Sequence, residues 1–288
     1  MQDIRCLLVV IDPKHNESLA LKRAKQIASV TKAHLHLLVC DKKNDHSALL
    51  SLLELSLKGE AFTVSSEQAW HDSEHQTIIG VQQAHDCGLV IKQHFPDNPL
   101  KKALLTPEDW KLLRYCPCPV LVAKTTKPWT DGVVLAAVDV DNRDPEHRVL
   151  HESIIDLGFR IASLAKASLH VVSAHPPPML AASEAVYVLN TDVDTDYRKL
   201  CADFQKQFDI EDSRLHIEEG PADVIITRVA RELDAVVTVM GTVARTGITG
   251  ALIGNTAEIV LDELESDILV LKPADRYEHL ENQLAHLA

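Results

Sequence analysis

The sequence is poor in aromatic residues, in glycine and in positive charge. Five Phe, three Trp and four Tyr make up 4% of 288 residues, so within an apolar share of 46% the cores must be built from Val, Ile, Leu and Ala. Lys and Arg number 29 against 42 Asp and Glu, a formal net charge of −13. That balance argues against non-specific nucleic-acid binding, which is driven by cationic side chains displacing counterions. A local basic pocket is still compatible with it, because net charge governs the long-range field. No apolar run reaches 18 residues, so no segment reads as a membrane span. Six cysteines are too few for a disulfide framework. Cys6, Cys40 and Cys87 lie in or beside apolar runs and read as free, small hydrophobes. The N-terminal MQDIRCLLVVIDP carries no long apolar signal segment and enters a strand directly. The expectation is a soluble cytoplasmic protein with neither nucleic acid nor membrane as a partner.

What the chain does have is a repeat. Residues 27–36, IASVTKAHLH, recur as IASLAKASLH at 161–170. Residues 71–126 can be laid on 219–274 without a gap, and Ile78/Ile226, Val81/Val229, Asp86/Asp234, Leu121/Leu269 and Lys124/Lys272 then coincide. The opening strands match too, CLLVVID ending at Asp12 and VLAAVD ending at Asp139. A polar linker with Pro128 and Gly132 joins the copies. Two domains are expected, 1–127 and 130–288, the second with an insertion around 176–195.

Each copy alternates strands and helices. The strands of the second copy, about 132–139, 168–174, 214–218, 235–240 and 267–272, are Val/Ile/Leu-rich with little alternation, as in a parallel sheet buried on both faces. Between them, 221–233 places Ala222, Ile225, Ile226, Val229, Ala230 and Leu233 on one helical stripe, with Pro221 in the first turn. The fold class is α/β: two tandem doubly wound parallel sheets, Rossmann-like or flavodoxin-like. Ligands of such sheets sit beyond the carboxyl ends of the strands, where strand order reverses.

At that edge of the second copy stands MGTVARTGITGALIGNT, residues 240–256. It gathers Gly241, Gly247, Gly250 and Gly254, four of only ten glycines. A glycine-rich loop leading into a helix near Asn255 offers free amides and the positive end of a helix dipole, an anion site. The lysine of a P-loop is missing, and a dinucleotide fingerprint would follow the first strand, which here ends in AAVDVDN.

The spacing resembles the motif of universal stress proteins, Gly-x2-Gly-x9-Gly-Ser/Thr, with Gly241, Ala244, Gly254 and Asn255 at its four positions. The tandem repeat, Trp70-His71, TPEDWKLLR at 106–114 and GNTAE at 254–258 look like two-domain members of that family, the E type. The resemblance covers essentially the whole chain. It implies an adenine-nucleotide site, ATP with Mg, in the C-terminal half. Ala137, Val138 and Asp139 would face adenine and ribose, with Asp139 orienting the ligand, and Ala174 would border the base. Met240, Gly241, Thr242, Ala244, Gly254, Asn255 and Thr256 would line sugar and phosphates, and Arg245 would add charge. Ala244 stands in place of a glycine and Asn255 in place of a hydroxyl residue, where Asn255 can cap the helix with Glu258 completing a capping box. The first copy has lost every glycine of this loop and carries prolines that remove amide donors, so no nucleotide site is expected there.

Other patterns draw blander readings. His71-x-x-Glu74-His75 matches an inverted zinc-protease signature, but surface histidines at a helix start, or incidental zinc binding, account for it. Cys116-Pro-Cys118 reads as two small residues entering the core, its counterpart being Glu265-Ser266. His34, His36 and His170, within or beside the repeated second strand, fit packed imidazoles with satisfied nitrogens. The tail 274–288, with Tyr277, Leu280, Leu284 and Leu287 at helical spacing, either packs on its own domain or makes a homodimer contact. The resemblance implies a stress-response regulator with a protein partner rather than a metabolic enzyme. A nucleotide-free interaction scaffold and a slow ATP hydrolase acting as a switch stay open beside it.

Overall fold

Two parallel five-stranded arrays meet edge to edge in one continuous sheet. The computed structural model describes residues 4–15, 18–95, 105–140, 145–175, 191–242 and 255–272. The strands are β1 (Cys6–Val10), β2 (His34–Cys40), β3 (Val64–Ala69), β4 (Leu89–Gln93), β5 (Val120–Ala123), β6 (Val133–Ala137), β7 (Ser168–His175), β8 (Leu215–Glu219), β9 (Val237–Gly241) and β10 (Asp267–Leu271). The helices are α1 (Leu19–Thr31), α2 (Ser47–Gly59), α3 (Glu74–Ala84), α4 (Pro107–Tyr115), α5 (Pro145–Ala165), α6 (Thr191–Phe208), α7 (Ala222–Glu232) and α8 (Asn255–Glu263). The sheet order is β3-β2-β1-β4-β5-β10-β9-β6-β7-β8. All pairings are parallel except β5 with β10, where Leu121 faces Leu269 in an antiparallel register. Each half therefore runs from its outer edge through the same strand sequence, and the two halves are joined through equivalent edges.

The central strands are buried on both faces, and successive residues divide between two cores. Leu7 and Val9 join one hydrophobic cluster with α1 and α5, while Leu8 and Val10 join the other with α3, α4, α7 and α8. On α7 the expected stripe is inside, with Ile225, Ile226, Val229 and Ala230 buried and Pro221 standing at the N-cap. Among the described residues no helix is long and apolar enough to cross a membrane.

The repeat has a backbone counterpart. Lys32 and Lys166, the sixth residues of the repeated ten-residue motif, where the chain leaves its helix, have φ of 60° and 53°. Asp86 and Asp234, one of the coincident pairs, both have φ of 48°. These left-handed residues turn the chain from a helix into the next strand, and Asp is among the few side chains that tolerate this conformation.

One reading of the cysteines is corrected. Cys6 and Cys87 are joined by a disulfide rather than free, with Cα atoms 4.4 Å apart. Cys6 opens β1 and Cys87 lies just before β4, and these strands are neighbours with Leu7 opposite Leu89. Topology thus brings together two positions 81 residues apart, which composition alone does not reveal. Cys40, Cys116, Cys118 and Cys201 are not in disulfides.

Candidate functional site

In the second half strand order reverses between β6 and β9, where Ala137 is the register partner of Met240. Ala137, Met240 and Ala174 all belong to the core on the α7/α8 side of the sheet, so three expected site residues share one face. Val138 packs into the opposite core, and its amide donates to Val172 O at 3.0 Å, extending the β6–β7 ladder by a residue. Asp139 is exposed at the mouth, its amide donating to His151 Nε2 at 3.3 Å. The next amide, of Val140, donates to Ser173 Oγ at 3.2 Å, which fixes the turn out of β6.

The β9 side is tightly fitted. A Cβ on Gly241 would lie 2.6 Å from Leu150 Cδ2 and 3.2 Å from Ile154 Cδ1, so α5 crosses here at a distance only glycine permits. Thr242 is buried, and both its amide (2.9 Å) and its hydroxyl (3.4 Å) donate to Leu271 O. Its donors therefore hold the end of β9 to β10 rather than pointing into the mouth. Asn255 and Thr256 are the first residues of α8. Ala244, Arg245 and Gly254 lie outside the described residues, as do the 176–190 part of the insertion and the 274–288 tail. Glu258, read as the partner in a capping box on Asn255, has a carboxylate oxygen 3.3 Å from Arg114 Nη2 of the first half. That contact offsets negative charge near the start of α8.

A cavity of about 530 Å³ lies beside this turn, between α5 and α6, lined by Val140, Arg148, His151, Lys199, Asp203 and Phe204 among others. Its described lining contains none of the expected nucleotide residues but adjoins Asp139 through Val140, the next residue, and His151, the acceptor of the Asp139 amide.

The larger cavity, about 880 Å³, is at the equivalent edge of the first half. Its described lining carries six acids, Asp12, Asp41, Asp72, Glu74, Glu108 and Asp109, against three cations, Lys14, Lys43 and Lys92. Size therefore favours this cavity and charge disfavours it for a phosphate ligand; charge decides, because a net acidic wall repels a polyanion. At its floor Lys92 Nζ is 2.6 Å from Asp109 Oδ1 and 3.5 Å from Glu74, and His94 Nδ1 is 3.0 Å from Asp109 Oδ2. In the ungapped repeat Lys92 and Asp109 stand where Met240 and Ala257 stand. Burial alone would raise the Asp109 pKa, but the His94 hydrogen bond and the Lys92 charge hold it well below the usual carboxylate range. Burial likewise opposes the Lys92 cation, yet Asp109 and Glu74 leave its pKa raised.

The histidine patterns resolve differently from one another. Helix α3 begins only at Glu74, with Ser73 as its N-cap, so His71 and His75 do not lie on one helical face. His75 Nδ1 instead approaches Glu108 at 2.9 Å. His170 Nδ1 meets His216 Nε2 at 3.0 Å. Both ring nitrogens of buried His36 have partners, Ser65 Oγ at 2.7 Å and Glu67 Oε1 at 2.9 Å. Sequence reasoning missed Glu67 and His85, which join His36 from a neighbouring strand and from the end of α3. Cys116 and Cys118 are buried in the core with sulfurs 3.6 Å apart.

The family model described as the universal stress protein family matches residues 133–272. Universal stress protein E of Escherichia coli K12 is 32% identical over an alignment of 305 residues, covering 94% of this chain and 95% of its own. A crystal structure described as a universal stress protein of Pseudomonas aeruginosa UCBPP-PA14 is 61% identical, covers 99% of each chain and superposes with a TM-score of 0.93. A universal stress protein of Archaeoglobus fulgidus DSM 4304, only 15% identical, covers 94% of this chain and 99% of its own with a TM-score of 0.64, and so shares the fold. With this sequence similarity along nearly its whole length, the chain belongs to the universal stress protein family.

Proposed function

We propose that the protein is a stress-response regulator that binds ATP or another adenine nucleotide, with Mg, in its C-terminal half. The two halves, 1–127 and 130–288, act as domains of an intrachain pseudo-dimer in which the first has given up the nucleotide. The observation that carries this reading is the pairing of Ala137 with Met240 on adjacent parallel strands where strand order reverses. It supports a crevice with the exposed Asp139 at one lip and the end of β9 at the other. From Thr242 the glycine-spaced segment 243–254 leads into the start of α8, the place at which backbone amides and a helix dipole favour phosphate. In the first half, the acidic lining and the Lys92–Asp109 pair are consistent with a structural partner or a non-nucleotide ligand.

Thermal unfolding with and without millimolar Mg-ATP tests this, comparing the native chain with Gly254→Trp, which fills the loop. A ligand at 100 times its dissociation constant adds about 2.7 kcal/mol, and each kcal/mol moves the midpoint roughly 2–4 °C for a domain of this size class. A rise of several degrees in the native chain alone is expected. No rise in either protein would overturn the nucleotide reading in favour of a nucleotide-free interaction scaffold.

A further inference from the structure

At the outer edge of the first half, far in the sheet from the β6–β9 crevice, three side chains from three elements converge. His36 comes from β2, Glu67 from the edge strand β3, and His85 from the C-cap of α3. His36 Nε2 and His85 Nε2 each lie 2.9 Å from the same carboxylate oxygen, Glu67 Oε1. One ligand atom from each residue falls within a span of 4.8 Å. The two imidazoles are stacked, with centroids 3.8 Å apart and planes 25° from parallel, so both aim an Nε2 at one point. We propose that His36, Glu67 and His85 bind a divalent transition-metal ion of the zinc class.

The chemistry of the donor set fits such an ion. Zinc takes imidazole nitrogen and carboxylate oxygen at about 2.0–2.2 Å in a tetrahedron, which sets neighbouring ligand atoms about 3.3–3.5 Å apart. The 2.9 Å separations therefore need to open by only a few tenths of an ångström. Glu67 and His85 have side chains 37% and 40% exposed, so they can make that movement, whereas His36, at 3%, is the fixed point. Two imidazoles and one carboxylate leave the fourth position to water, and β3 at the sheet edge gives solvent an approach to it.

A supporting partner is already in place behind the fixed ligand. Ser65 Oγ lies 2.7 Å from His36 Nδ1, so it can accept the Nδ1 proton once Nε2 gives its lone pair to a metal. Metal-bound histidines use their second nitrogen in this way, and the partner fixes both tautomer and ring direction. His34 Nε2 lies 2.7 Å from the same hydroxyl and helps hold it in place. The second half has only the His170–His216 pair at the corresponding strands and, among the described residues, no third ligand gathered with it. The site thus belongs to the first half alone and does not depend on the nucleotide reading.

The test is a titration of the tag-free full chain with Zn²⁺, and with Co²⁺ as a spectroscopic probe, in native protein and in His85→Ala, Glu67→Gln and Ser65→Ala. His71→Ala and His170→Ala serve as controls, and circular dichroism checks that each variant is folded. Expected are saturable binding of one ion per chain and intense visible Co²⁺ bands of tetrahedral type. Binding should be lost in His85→Ala and Glu67→Gln and weakened about 10–100-fold in Ser65→Ala. The controls should bind as the native chain does. The absence of saturable binding, or binding that survives both His85→Ala and Glu67→Gln, overturns the proposal. So does binding that follows either control histidine.

Discussion

Arg23 Nε donates to Asp267 Oδ2 at 2.6 Å, and neither side chain has any solvent exposure. Arg23 sits on α1 of the first half and Asp267 opens β10 of the second, 244 residues away. Asp267 also accepts the amides of Lys124 (2.7 Å) and Thr125 (3.0 Å) and the indole N–H of Trp129 (2.8 Å). Arg23 returns two further bonds to the linker, to Thr125 O at 3.0 Å and Lys127 O at 2.7 Å, and its guanidinium lies 4.7 Å from the Trp129 ring centroid. The segment between the halves is thus threaded through a closed polar network, the arrangement that lets a buried charge pair be satisfied.

Removing one partner leaves the other charge buried alone, which typically costs about 3–5 kcal/mol. Asp267→Ala is therefore expected to lower the stability of the whole chain by that order in chemical unfolding. Trp129, fully buried, gives a direct readout, because loss of its hydrogen-bond partner should change its emission before global unfolding. A stability within about 0.5 kcal/mol of native would show that the network is not what joins the halves.

How much of this was visible beforehand depended on whether a feature repeats. The copied motif IASVTK/IASLAK and the coincident Asp86/Asp234 marked equivalent places in the two copies, and the fold gives each pair the same left-handed backbone. The apolar runs of the second copy gave its five strands with boundaries within two residues of those observed, since strand ends depend on pairing partners. Features made by one copy only were invisible. Asp267 stands opposite Pro119 in the repeat, and nothing in the spacing of α1 separates a buried Arg23 from a surface one. The Cys6–Cys87 bond and the His36–Glu67–His85 convergence likewise need strand order, which no local pattern encodes. For the crevice, the sequence pointed to the ends of β6 and β9, which the fold sets side by side, but not to Thr242 turning both donors onto Leu271 O.

The buried pair Lys92–Asp109 makes a prediction about how the first half diverged. Lys92→Met alone leaves Asp109 short of a cation and should destabilise by about 3–5 kcal/mol. Lys92→Met with Asp109→Ala installs the residues that the second copy uses at 240 and 257, and should recover more than half of that loss. The sign of the pH effect follows from the depressed Asp109 pKa. A carboxylate with a lowered folded-state pKa contributes stability above its unfolded value, about 3.9, and loses it as pH falls through the folded value. The native chain should therefore lose stability more steeply below about pH 4 than the double variant does. Equal acid limbs in unfolding-against-pH curves would contradict this.

Gly241 makes the sharpest packing prediction, because its absent side chain is what lets α5 lie against the end of β9. In Gly241→Ala the new Cβ would sit 2.6 Å from Leu150 Cδ2 and 3.1 Å from Leu150 Cγ, closer than carbon atoms pack. The strain is spatial rather than torsional, since Gly241 is not among the residues with positive φ. Overpacking of this kind costs about 1–3 kcal/mol, while Leu150→Ala alone, which empties a buried site, costs about 2–5 kcal/mol. If the two positions share one volume, Gly241→Ala with Leu150→Ala must cost less than the sum of the singles, by a coupling of about 0.5–3 kcal/mol. Denaturant unfolding of the four proteins in that cycle measures it. Strict additivity would mean that α5 shifts away from the strand to admit the methyl group, and that the β9 lip of the crevice is softer than its close packing indicates.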